Sequence, residues 1–72
     1  MTRQATKQRQ IETRHGLDTP DLSRVLAIHD LAEAAGHDCF WRESDGPCWY
    51  VEVWCSASKW RELLRQTTSR HG

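Results

Sequence analysis

Asp38 to Cys55 reads DCFWRESDGPCWYVEVWC, and this stretch decides the fold. Asp45-Gly46 is the strongest short turn signal in the chain, because hairpin turns need a positive φ that Gly and Asp accept, and the flanks are β-branched, aromatic and Cys-rich as strands prefer. If Asp45 and Gly46 are the two central residues, Ser44 pairs with Pro47. Counting outward then sets Arg42 opposite Trp49, Trp41 opposite Tyr50, Phe40 opposite Val51 and Cys39 opposite Glu52. Alternation sorts the side chains into two faces. Phe40, Trp49, Val51, Val53 and Cys55 form the face expected to pack on helices. Cys39, Trp41, Cys48, Tyr50 and Trp54, with Glu43 and Glu52 among them, form the other. A hairpin with aromatic residues on both sides cannot keep both dry, so the second face is the expected interaction surface.

Helices are expected on either side of this hairpin. Thr19-Pro20-Asp21 reads as a helix start, with Thr19 as cap, Pro20 at the first helical position and Asp21 complementing the dipole. The spacing predicts a helix from there to about Ala35, with Leu22, Val25, Leu26, His29 and Ala32 facing inward and Ile28, Leu31 and Ala35 widening the stripe. Gly36 ends it in the left-handed conformation. A second helix starts at Ser56 or Ser58 and runs to about Gln66, with Ala57, Trp60, Leu63 and Leu64 inward. The expected fold class is α+β: one αββα domain over residues 17–67, two helices packed on one face of a two-stranded antiparallel hairpin, with residues 68–72 frayed.

Residues 1–16 carry Arg3, Lys7, Arg9 and Arg14 against Glu12 and scarcely any large apolar side chain, which is the composition of a disordered basic tail. Its basic residues are candidate contacts for nucleic acid or an acidic partner. Such a tail lies outside the core, so its removal through residue 15 is expected to leave stability nearly unchanged. The chain as a whole has no net charge, so residues 17–72 are correspondingly acidic. That balance argues against a dedicated DNA-binding surface on the folded part. No apolar run reaches membrane-spanning length. Three cysteines, an odd number, and a polar N-terminal stretch without a signal-peptide pattern lead to the expectation of a reducing, cytoplasmic setting and no membrane partner.

The residues that could carry chemistry fail on spacing. His37, Cys39, Cys48 and Cys55 are zinc-type ligands, but structural zinc sites draw their ligands from close pairs, and these four are spread over both faces and both ends of the hairpin. A Cys39 nucleophile would need a base in reach, and His37 is only its i, i+2 neighbour with no evident orienting carboxylate. Asp30, Glu33, Asp38 and Glu43 read as solvated charges, and His29 as a satisfied core histidine. No metal, cofactor or enzymatic activity is expected.

Trp41, Tyr50 and Trp54, flanked by Cys39 and Glu52, remain. A cross-strand aromatic pair stabilises a hairpin by only about 0.2 to 1 kcal/mol, which does not call for three exposed rings, whereas Trp and Tyr are the residue types that anchor interfaces. The expected function is therefore a non-catalytic intracellular protein-binding module, an inhibitor or adaptor. Its partner would be a protein, including a second copy of the chain. Stacking of single-stranded nucleic acid on the same rings is the alternative within this face.

The element order, with Met1-Thr2-Arg3-Gln4, His29-Asp30-Leu31, Asp45-Gly46, Val51-Glu52-Val53 and the serines 56 and 58 before the second helix, resembles the head-completion gpW family of lambda-type phages. The resemblance implies an αββα fold and a virion protein that assembles as a ring and joins head to tail. The four Trp and three Cys have no counterpart in that pattern.

Overall fold

The computed structural model describes residues 12–68. Its elements are β1 (Thr13–Thr19), α1 (Leu22–Ala34), β2 (Cys39–Glu43), β3 (Trp49–Cys55) and α2 (Ala57–Thr67). The sheet is antiparallel in the order β1-β3-β2, so the last strand occupies the centre. Val25, Ile28 and Ala32 of α1, Leu63 of α2, and Val51, Val53 and Cys55 of β3 form the core, and both helices lie on the same face of the sheet. The protein is thus a small α+β structure of two helices and three strands. The αββα order holds from Leu22 onward, preceded by a strand the sequence reading missed.

That strand corrects the expected tail. Residues 13–16 open β1, which pairs with β3 from Thr13 opposite Cys55 to Thr19 opposite Trp49. Its alternation is real but written in weakly apolar residues: His15, Leu17 and Thr19 are half-buried, while Arg14, Gly16 and Asp18 are exposed. His15 substitutes for an aliphatic residue by lying flat on Trp60 of α2, ring centroids 5.4 Å apart and planes 13° from parallel. The expected contacts Arg3, Lys7 and Arg9, the rest of the basic segment to residue 11, and residues 69–72 of the expected frayed end lie outside the described residues.

The hairpin turn is also one residue longer than expected. Ser44 N–H donates to the Cys48 carbonyl at 2.9 Å, leaving Asp45, Gly46 and Pro47 as a three-residue loop with Gly46 at φ +65°. The two-residue loop fails on chemistry, because it requires Pro47 to donate an amide hydrogen that proline lacks. Every pair of β2 and β3 shifts accordingly: Cys39 opposes Val53, Phe40 Glu52, Trp41 Val51, Arg42 Tyr50 and Glu43 Trp49. A one-residue slip turns a strand over. Cys39 and Trp41 therefore belong to the helix-covered face, and Phe40 to the open one.

Capping fixes the helices. The N-cap of α1 is Asp21 rather than Thr19: its carboxylate accepts the Arg24 N–H at 3.1 Å and the Ser23 hydroxyl at 2.9 Å. Those bonds hold the Asp21 carboxyl below the usual carboxylate range. Gly36, at φ +87°, ends the helix, with its N–H on Glu33 O and that of His37 on Ala32 O, both at 3.0 Å. The inward stripe of α1 is Val25, Ile28 and Ala32. Leu26 and Leu31 are exposed and His29 lies on the flank, unlike the expected stripe. Ser56 caps α2 through the Lys59 N–H, Trp60 and Leu64 are half-buried, and Ala57, expected inward, is exposed. At the far end of α2, Arg24 donates to the Leu64 carbonyl at 3.0 Å and to the Thr67 hydroxyl at 3.3 Å, tying α1 to the C-terminal turn. Among the described residues no helix is long and apolar enough to cross a membrane.

Removal of residues 1–16, which takes half of β1 and the His15–Trp60 stack, should lower the melting temperature steeply instead of leaving it unchanged. Arg24→Ala should cost about 1.5 kcal/mol in urea denaturation, and Arg24→Lys should recover little of it, since an ammonium lacks the fork that spans carbonyl and hydroxyl.

Candidate interaction face

With both helices on one side, the opposite side of the sheet is left open. Alternation assigns it Arg14, Gly16 and Asp18 from β1, Tyr50, Glu52 and Trp54 from β3, and Phe40 and Arg42 from β2. Tyr50 sits at the centre of this surface. Its ring lies against Gly16 so closely that a Cβ there would come within 2.5 Å of the phenolic oxygen. On the other side the Arg42 guanidinium carbon lies 5.0 Å above the ring centroid, and the Phe40 ring is tilted against it at 6.2 Å. The hydroxyl donates to Glu52 Oε1 at 2.8 Å, and this bond, helped by burial, pushes the Tyr50 pKa up. Ser44 Oγ donates to Asp18 at 2.8 Å, linking the turn to β1 across the end of the same face.

The periphery is more open than the centre. Phe40 is 45% and Trp54 42% exposed, so about half of each large ring faces solvent. Arg14 pairs opposite Trp54. Charge on the face is balanced, with Arg14 and Arg42 against Asp18 and Glu52.

Of the residues expected here, Tyr50, Trp54 and Glu52 are on the open face and Arg14 joins them from β1. Trp41 and Cys39 are not. Trp41 is tilted against Trp49 at 6.0 Å on the helix side, where it remains 39% exposed at the sheet edge. The half-buried Cys39 thiol points at the His29 carbonyl, 3.7 Å away. Phe40, Arg42 and Gly16 were missed. Pro47 was the signal that could have found the first two, since its missing N–H fixes the register.

The thiols are poor nucleophiles where they are buried. Burial, then the carboxylates of Glu33 and Asp38, push the Cys39 pKa up; burial, then Glu12, does the same for Cys55. Cys39, Cys48 and Cys55 are all free. His29, Asp30 and Glu33 bring ligand-type atoms within 4.8 Å of one another on one turn of α1, with His29 Nδ1 3.8 Å from Glu33 Oε1. Both carboxylates of that group are exposed, the ordinary condition of charges on a helix surface. Comparison of the chain with protein-family models, with curated proteins and with solved structures gives no match.

Tyr50 is the only tyrosine, which makes its titration directly readable by absorbance. Glu52→Gln should lower its pKa toward the ordinary phenol value. A hydroxyl with a raised folded-state pKa contributes stability that is complete below the unfolded pKa and is lost as pH rises through the folded one. Wild type should therefore lose more stability than Glu52→Gln when melted across the alkaline range.

Proposed function

We propose that the protein is a small non-catalytic binding module, an inhibitor or adaptor, that docks onto a protein partner through the open face of its sheet. One observation carries this reading: Phe40 and Trp54 stand half-exposed around a Tyr50–Arg42 centre on a face that the chain's own helices leave uncovered. Aromatic residues and Arg are the types enriched at the centres of protein interfaces. Each ring brings roughly 150 to 250 Å² of contact, and the fixed Tyr50 places the centre before a partner arrives.

Single-stranded nucleic acid is a second reading, favoured by Arg42 over the Tyr50 ring and by Arg14 opposite Trp54. Asp18 and Glu52 on the same face oppose it.

The test is a pull-down from the native cell with wild type beside Phe40→Ser and Trp54→Ser, followed by calorimetry on the purified partner. Each substitution should leave the melting temperature within a few degrees and weaken binding by about 2 kcal/mol. Equal binding by all three proteins would refute the assignment. Affinity for an oligonucleotide that falls steeply with salt, in place of a protein partner, would transfer the face to the nucleic-acid reading.

A further inference from the structure

β2 (CFWRE) is an edge strand that carries charge at one end only, at Arg42 and Glu43. Natural edges are blunted by charge, proline or cover, yet Phe40 and Trp41 are adjacent on β2, point to opposite faces and are 45% and 39% exposed. The backbone phase can be read from the ends of the ladder. Trp54 N–H donates to Asp38 O, and Ser44 N–H to Cys48 O, each at 2.9 Å. Even-numbered residues of β2 therefore bond inward to β3, and Cys39, Trp41 and Glu43 direct their N–H and C=O groups to the open edge.

We propose that this edge pairs with β2 of a second copy of the chain, antiparallel about a two-fold axis through Trp41. In that register Trp41 opposes the partner's Trp41, Phe40 opposes the partner's Arg42, and Cys39 opposes the partner's Glu43. All three outward residues gain backbone partners. Phe40 and Arg42 then stand opposite one another on the open face, and no like charges face one another. A shift of two residues one way sets Arg42 against the partner's Arg42. A shift the other way leaves Arg42 and Glu43 opposite residues outside the strand. The edge of β1 is the only other free one among the described residues, and it offers far less apolar surface, since its exposed residues are Thr13, Arg14, Gly16 and Asp18.

The product is a six-stranded sheet with four helices on one side and a continuous face on the other, carrying two copies of Phe40, Arg42, Tyr50 and Trp54. A chain without net charge does not oppose its own association electrostatically. A pairing of five residues per strand falls below the roughly 1,200 Å² at which specific stable interfaces begin, so the dimer is a weak one that forms at high concentration. The inference goes beyond the binding role. Binding by dilute monomer tests that role separately, so failure of the dimer leaves it standing.

Sedimentation of the full chain should show a mass that rises with concentration from 8.4 kDa toward twice that value. Amide exchange should show the signature of the pairing: Phe40 and Arg42 protected at all concentrations, Trp41, Cys39 and Glu43 protected only when concentrated. Glu43→Pro removes an N–H the monomer does not use and should raise the dissociation constant at least tenfold, as should Trp41→Lys, which sets two charges on the axis. A mass of 8.4 kDa up to millimolar concentration would overturn the proposal. So would a dimer whose added protection falls on Arg14, Gly16 and Asp18, or on none of the odd-numbered β2 amides.

Discussion

Pro47 has no amide hydrogen to give, and the arrangement of the sheet follows from that deficit. A turn closed one residue earlier would need the missing donor. The closing bond therefore moves to Ser44 and Cys48, and β2 is set against β3 with Trp41 beside Val51. This choice places Trp41 against Trp49 on the helix side, and turns Phe40 and Arg42 outward to meet Tyr50. One backbone atom thus decides which aromatic residues turn to the helix side of the sheet and which to its open face. Gly46, in the left-handed region, lets the longer loop close at little conformational cost.

The core this leaves is small. Seven residues among those described are buried, all aliphatic or Cys, and a chain of this size gains little margin from burial alone. The remaining order is supplied by devices at element ends: Asp21 and Ser56 hold two helix N-termini, Gly36 closes α1, and Arg24 satisfies the C-terminal turn of α2. His15 and Trp60 do by stacking what a pair of aliphatic residues would do by bulk. Because these ties connect β1 to α2 and α1 to α2, loss of any one loosens a neighbour, and the domain should behave as a single cooperative unit.

Both helices and the β2–β3 hairpin were legible in the sequence because their signals are local: capping side chains, a glycine stop, a 3.6-residue stripe and an Asp-Gly turn. β1 was not, because its inward positions hold His15 and Thr19 beside a single aliphatic Leu17, and their burial depends on Trp60 and β3, far away in the chain. The rotation of α1 was hidden for a similar reason. Its apolar residues surround most of the helix, and only the reach of Arg24 to Leu64 distinguishes the flank facing α2 from the flank carrying Leu26. Of the candidate site, the β3 residues Tyr50, Glu52 and Trp54 were read correctly as sharing a face, since alternation within one strand needs no register. The β2 residues were inverted, since their face depends wholly on it.

Gly16 connects fold and face. A glycine inside a strand weakens it, because it contributes no side chain to the sheet and loses more chain entropy on folding than other residues. Here the vacancy is filled by the Tyr50 ring from the neighbouring strand, an exchange known to restore what the glycine costs. Tyr50 is then enclosed by Gly16, Glu52, Arg42 and Phe40, with its hydroxyl committed to Glu52. Such a ring has little rotamer freedom left to lose on binding, whereas the more exposed Phe40 and Trp54 around it can still adjust. A rigid aromatic centre with an adaptable periphery is the arrangement in which contact area is least offset by ordering cost. The glycine that leaves β1 without a side chain at its middle is the residue that lets Tyr50 settle at the centre of the open face.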